Sequence, residues 1–182
     1  MQRLVIPAIP VMLVLGVALM AVAANRLRDK AQLVNAWLAG WYAVAVLGAT
    51  MLPLHIGWGP GSPDWYRIVL VPILEMRPGD FLLNTAMMLP LAWFLRTVLG
   101  VTRELRVVRT GFLISLTIEL TQLVLLITLH GTRWFDVNDL ISNTLGAWLG
   151  FVALERLLRF PVVRNLARRT EIVRPQPAIT RS

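Results

Sequence analysis

Apolar residues in this chain run in long blocks, separated by short basic or irregular stretches. A helix that spans a bilayer needs about 20 mostly apolar residues at ~1.5 Å rise each. The first such block is Leu4 to Ala24, uncharged throughout, with Pro7 and Pro10 in the first turns where proline is tolerated. The second runs from Ala31 to Leu54, and the third from Phe81 to Leu95 or Leu99, a shorter block carrying Asn84. The fourth, Thr110 to His130, holds Glu119 and Gln122; the fifth, Val137 to Leu154, holds Asp139 and Asn143. The pattern predicts an all-α membrane protein, a five-helix transmembrane bundle formed by a single domain over 1–160.

The stretch His55 to Asp80 breaks the pattern. Gly57, Gly59, Pro60, Gly61 and Pro63 make it irregular. Residues 66–74 are apolar but too few to span, which predicts an interfacial or re-entrant segment, and Trp58, Trp65 and Tyr66 suit an aromatic belt. Residues 161–182 are rich in Arg and Pro and read as a cytoplasmic tail without fixed structure. No internal or inverted repeat is visible, and five spans suit a two-fold symmetric transporter poorly.

Composition agrees. The 182 residues are 57% hydrophobic and 15% charged, with a mean hydropathy of +0.66, too little polar surface for a soluble domain of this size. The formal net charge is +8, and the basic residues lie between apolar blocks, as topology signals rather than a nucleic-acid face. With the N-terminus outside, the cytoplasmic side holds Arg26, Arg28, Lys30, Arg96, Arg103, Arg106, Arg109 and the seven Arg from Arg156 onward. Only Arg3, Arg67, Arg77 and Arg133 remain outside. The first block imitates a signal peptide, but cleavage would reverse this balance, so the positive-inside rule predicts an uncleaved N-out, C-in chain. The inner Arg clusters predict contact with anionic lipids. With no Cys and only His55 and His130, thiolate chemistry and Cys- or His-rich metal sites are excluded, and no metal or cofactor is predicted.

The polar residues inside the blocks converge in depth. Glu119 lies eleven residues before His130, roughly 16 Å below the outer helix end and near the midplane of a ~30 Å core. Gln122 follows one turn outward on the same face. Asp139 stands near the outer mouth of the fifth helix with Asn143 one turn deeper, and Asn84 lies one turn below the outer end of the third. A charge at mid-bilayer costs a few kcal/mol or more, so Glu119 must face the bundle, protonated, paired or wetted. Arg133, in the outer loop His130 to Asp136, can fold over the cluster or meet an anion. Asp136 reads either as a ligand-binding carboxylate or as the N-cap of the fifth helix. Gly146 and Gly150 have the spacing of close helix packing.

These residues resemble a known signature. Glu119-Leu-Thr-Gln122, then Arg133-Trp-Phe-Asp136-Val-Asn-Asp139-Leu-Ile-Ser-Asn143-Thr-Leu-Gly146 with Gly150 following, is similar to the VanZ-like family of bacterial membrane proteins. Asp80-Phe-Leu-Leu-Asn84, Leu89-Pro90-Leu91 and Val71-Pro72 resemble its upstream motifs, so the motif-bearing part covers 67–151. Ala92, Asn138 and Ile73 depart from the pattern. The resemblance implies a bacterial plasma-membrane protein of the cell envelope; the family's namesake is associated with low-level resistance to the glycopeptide teicoplanin. It supplies no reaction.

Three roles follow. The first is non-catalytic: an outward-facing cavity lined by Asn84, Glu119, Gln122, Arg133, Asp136, Asp139 and Asn143 binds a lipid-linked wall precursor or a lipoglycopeptide tail. The second is an intramembrane enzyme on such a lipid, with Glu119 as acid or base and Asp139 or Asp136 as second carboxylate, and room for Mg²⁺ with a substrate phosphate. The third is a small proton-coupled transporter. No nucleophile motif is evident, and the first role ranks above the enzyme.

Overall fold

The computed structural model describes residues 2–58, 61–73 and 76–173. Gly59, Pro60, Leu74 and the tail beyond Val173 lie outside the described residues. The chain is mostly helical, with seven α-helical segments among the described residues, six if the two halves of one broken helix are counted together.

Strand β1 (Gln2–Ile6) pairs antiparallel with β2 (Leu54–Trp58). The first block therefore begins as an extended strand and becomes helical only after Pro7, whose ring disfavours helix at the residue before it. Helix α1 (Ala8–Arg26) and α2 (Lys30–Met51) form a hairpin. Asp29 caps α2, its carboxylate accepting from Ala31 N–H at 2.9 Å and Gln32 N–H at 3.0 Å. Gly16 lies under the Trp41 ring and Gly48 against Met12, contacts that a Cβ would prevent. Otherwise α1 shows its apolar side chains outward, as a lipid-facing helix does.

The third block is a helix broken in two. Helix α3 (Pro78–Met88) stops at Pro90, which lacks the N–H its turn requires, and α4 (Leu91–Leu99) resumes the same apolar run. Gly100, at φ 67°, closes α4 in the left-handed conformation. Helix α5 (Glu104–Leu129) is the longest, and His130 ends it at φ 46°. A short parallel pair, β3 (Ile68–Val69) with β4 (Phe135–Asp136), ties the long loop to the entry of α6 (Val137–Leu157). Residues 65–73 thus form a 3-10 turn and an extended strap. Arg67 Nη1 donates to the Thr132 carbonyl at 2.7 Å, and Ile73 N–H donates to Asn138 Oδ1 at 2.9 Å.

Among the described residues, four helical stretches are long and apolar enough to cross a membrane: Ala8–Arg26, Lys30–Met51, Pro78–Leu99 and Glu104–Leu129. The fifth predicted span forms as α6, 21 residues long, but is not among them. The reason is its position. Helix α6 sits between α3 and α4 on one side and α5 on the other, and it buries Ser142, Asn143, Gly146, Ala147 and Gly150. A helix that faces protein on most sides needs small and polar residues for close approach rather than lipid-soluble ones. A Cβ at Gly146 would strike the Thr85 carbonyl, one at Gly150 the Leu89 carbonyl, and one at Gly111 the Ala147 methyl. Met88, Leu91, Ala92, Leu95, Val107 and Leu154 complete the core beside Ala147.

The described part of the tail, residues 161–173, departs from the lack of structure predicted for 161–182. Pro161 opens a helix, α7 (Pro161–Thr170), at the position where proline suits a helix. Its Ala167 and Thr170 are buried against the bundle. Asn35 Nδ2 donates to the Thr170 carbonyl at 3.3 Å, Gln32 Nε2 to the Glu171 carbonyl at 2.8 Å, and Ile172 N–H to the Thr97 carbonyl at 2.7 Å. Buried polar groups on α2 and α4 need partners, and the tail supplies them.

Candidate functional site

On α5 the buried positions Ser115, Ile118, Glu119, Gln122 and Leu126 recur every three or four residues, the spacing of one helix face. That face carries two polar side chains into a cavity of about 830 Å³ at the end of the bundle opposite α7. Helix α6 adds Asp139 and Asn143, α3 adds Asp80 and Asn84, and the loop before β4 adds Arg133 and Trp134. Of the residues singled out in the sequence, Asn84, Glu119, Gln122, Arg133, Asp139 and Asn143 line this one chamber.

Glu119 is 2% exposed, and its Oε2 accepts from the Asp136 N–H at 2.9 Å. Gln122 Nε2 donates to the Thr50 carbonyl of α2 at 2.8 Å. Asn143 Nδ2 donates to Ser115 Oγ at 3.0 Å, and Ser115 in turn donates to the Asp139 carbonyl at 3.5 Å. Asn84 and Asp139 face the same chamber. Arg133 folds in as expected from sequence, but to a different partner: its Nη2 donates to the Leu52 carbonyl just beyond α2. Among the described residues it forms no ion pair with Glu119 or Asp139. Burial pushes the Arg133 pKa down, so a neighbouring anion would restore what desolvation removes.

Asp136 is placed elsewhere. It is 6% exposed, does not line the chamber, and its Oδ1 accepts from Asn138 N–H at 2.8 Å and Asn138 Nδ2 at 2.9 Å. Its side chain caps α6, and its main chain holds Glu119.

Sequence reasoning missed one wall and part of the rim. The wall is α2, which contributes Tyr42, Ala45, Val46, Ala49 and Thr50. Its small residues were the available signal, since alanines facing a cavity leave space open. At the rim, Arg77 and Asp80 pair at 3.1 Å. The Arg67 and Arg77 guanidiniums lie over the Trp134 ring at 5.6 and 5.3 Å, with Tyr66 edge-on at 5.9 Å. Stacking of this kind holds a cationic rim in place. Among the described residues no group of three or more His, Cys, Asp or Glu is arranged to hold a metal ion.

No curated protein and no solved structure matches the chain. The VanZ/LLP1 family profile matches residues 39–159. That match begins on α2 and includes every residue of the chamber, more than the motif-bearing stretch alone. With its four apolar candidate spans, this multi-pass membrane protein belongs to the VanZ/LLP1 family.

Proposed function

We propose that the protein is a non-catalytic envelope receptor of a bacterial plasma membrane, which binds a lipid or lipid-linked ligand in the polar chamber and thereby modulates glycopeptide susceptibility. The observation that carries this reading is the chamber itself: carboxylates, amides and Arg133 gathered in about 830 Å³, among helices otherwise apolar enough to cross a membrane. Buried polar groups in such a setting are costly and mark ligand or ion sites. The reading takes α6 as a fifth span and the chain as N-out, C-in. In support, α7 and the Arg clusters at Arg26 to Lys30, Arg96 to Arg109 and Arg156 to Arg169 sit at the end away from the chamber. The chamber then opens outward, with Arg133 and Arg77 at its mouth to meet an anionic group.

Glu119→Gln tests the proposal. The amide oxygen still accepts from the Asp136 N–H, so the fold is kept. Binding of dodecyl phosphate to the purified protein in bilayer discs should weaken in part, on the order of tenfold for one altered polar contact. Susceptibility to teicoplanin in a host carrying the variant should shift partway toward that of a host without the protein. Complete loss of both with normal folding and expression points to chemistry at Glu119 and overturns the receptor reading. An unchanged result for both removes the chamber from it.

A further inference from the structure

Two buried oxygens in the chamber have no partner. Among the described residues no donor reaches Gln122 Oε1 or Asn143 Oδ1, although Gln122 is 7% and Asn143 2% exposed. Their orientation is set by their other ends. Gln122 Nε2 is committed to the Thr50 carbonyl, and Asn143 Nδ2 to a Ser115 hydroxyl that already donates to the Asp139 carbonyl. Turning the Gln122 amide over would face oxygen to oxygen. Buried acceptors are normally satisfied, so a pair left open beside a cavity calls for donors from outside the chain. Glu119, Asp139 and Asp80 add further acceptor oxygens to the same lining.

A second cavity adjoins the first. It is a groove of about 560 Å³ between α2 and α5, floored by α4, and Tyr42, Val46 and Ile118 line both spaces. Ala39 and Ala43 keep it open on the α2 side. Its two threonines make no polar demand: Thr110 and Thr117 donate to the carbonyls of Arg106 and Leu113 at 2.7 and 2.8 Å. The α2–α5 cleft is therefore polar at one end and hydrocarbon along the rest, running the length of the bundle as a lipid does.

We propose that chamber and groove form one site for a lipid with a polyhydroxyl, sugar-type head, whose hydroxyls donate to Gln122 Oε1 and Asn143 Oδ1 and whose chain lies between α2 and α5. The inference rests on the receptor reading above and names its ligand class. A neutral hydroxyl head meets the open acceptors without setting a charge beside Arg77 and Arg133 or beside Asp80, Glu119 and Asp139, which all stand in the same lining.

The test uses the full chain in bilayer discs, with binding read as protein-bound ligand by native mass spectrometry. The probes are dodecyl glucoside, butyl glucoside, dodecyl phosphate and a methyl-capped oligoethylene glycol dodecyl ether, whose head accepts but cannot donate. Dodecyl glucoside should bind at least about tenfold tighter than the capped ether, the worth of one well-placed hydrogen bond. It should exceed butyl glucoside by more than that, since each buried methylene adds to the gain. Gln122→Met should lower the preference for the glucoside over the ether about tenfold, to what Asn143 Oδ1 alone supplies. Ala43→Phe, which fills the groove, should erase the chain-length dependence. Equal binding of glucoside and ether overturns the donor head; a chain-length dependence untouched by Ala43→Phe overturns the groove. If dodecyl phosphate binds and dodecyl glucoside does not, this inference falls while the receptor reading stands. If none of the four binds, both fall.

Discussion

The protein has two buried polar clusters, one at each end of the bundle, and they are built to different standards. At the α7 end, Asn35 is 2% exposed and fully used. Its Oδ1 accepts from Trp93 Nε1 at 3.1 Å, and its Nδ2 donates to Thr97 Oγ1 at 2.9 Å as well as to the Thr170 carbonyl. Thr97 passes its own proton to the Trp93 carbonyl at 2.9 Å. Among the described residues of this cluster, Arg96 Nε at the rim lacks a hydrogen bond, and it lies 3.9 Å from the Glu171 carboxylate. At the other end, Gln122 and Asn143 are each satisfied through nitrogen and open through oxygen, next to a cavity. In a low-dielectric interior a finished network holds elements together, while an unfinished one is costly unless something from outside completes it. The cluster at the α7 end is a clasp that holds elements together; the chamber leaves open the acceptors on which the proposed receptor reading draws.

The widest gap between the two should appear on breaking the clasp. Asn35→Leu leaves Trp93 Nε1 and the Thr170 carbonyl without their partner, and unsatisfied buried groups cost about 1–3 kcal/mol each. We expect a loss of about 3 kcal/mol, a lowered melting temperature in detergent and release of α7, read as new proteolytic cleavage around residues 161–170. An unchanged cleavage pattern would mean that Ala167 and the packing around it hold α7 without the clasp.

A smaller effect tests what the clasp is for. Docked on the bundle, α7 keeps Val162 and Leu166 exposed on the opposite side from Arg164 and Arg168, the layout of a helix lying in a membrane interface. Arg164→Gln with Arg168→Gln should weaken association with anionic vesicles by about 1 kcal/mol per charge at low salt. The difference should shrink as salt is added, because the Debye length falls to ~8 Å at physiological ionic strength. A difference independent of salt would assign those arginines to packing instead.

The two clusters were unequally legible in the sequence. Glu119 and Gln122 stood out because an apolar block of 20-odd residues has few polar positions, and helical spacing put them on one face. Asn84, Asp139 and Asn143 followed from depth once the blocks were aligned. The clasp was not visible, because Asn35 and Thr97 look unremarkable at the ends of helices and their partners lie on a tail whose composition suggests disorder. A main-chain carbonyl such as that of Thr170 or Thr50 carries no sequence signal at all. The same blindness hid the α2 wall and the real partner of Arg133, the Leu52 carbonyl. Pro90 was legible as part of a motif, but the helix break it makes was not, and that the break brings the Leu89 carbonyl against Gly150 is a matter of tertiary packing.

The smallest stability effect belongs to the chamber, and it is the most informative. Gln122→Met keeps the length of the side chain and removes two polar atoms. One of them, Nε2, holds a single hydrogen bond to Thr50, whose loss costs about 1 kcal/mol. The other, Oε1, has nothing to lose, and its removal relieves the burial of an unpaired acceptor. The two terms oppose, so the unliganded variant should stay within about 1 kcal/mol of the parent, against about 3 kcal/mol for Asn35→Leu. The ligand reverses the ranking. Stabilisation by dodecyl glucoside should shrink in Gln122→Met and persist, relative to its own baseline, in Asn35→Leu. If Gln122→Met is instead as damaging without ligand as Asn35→Leu, Gln122 is structural glue like its counterpart, and the contrast between the two ends collapses.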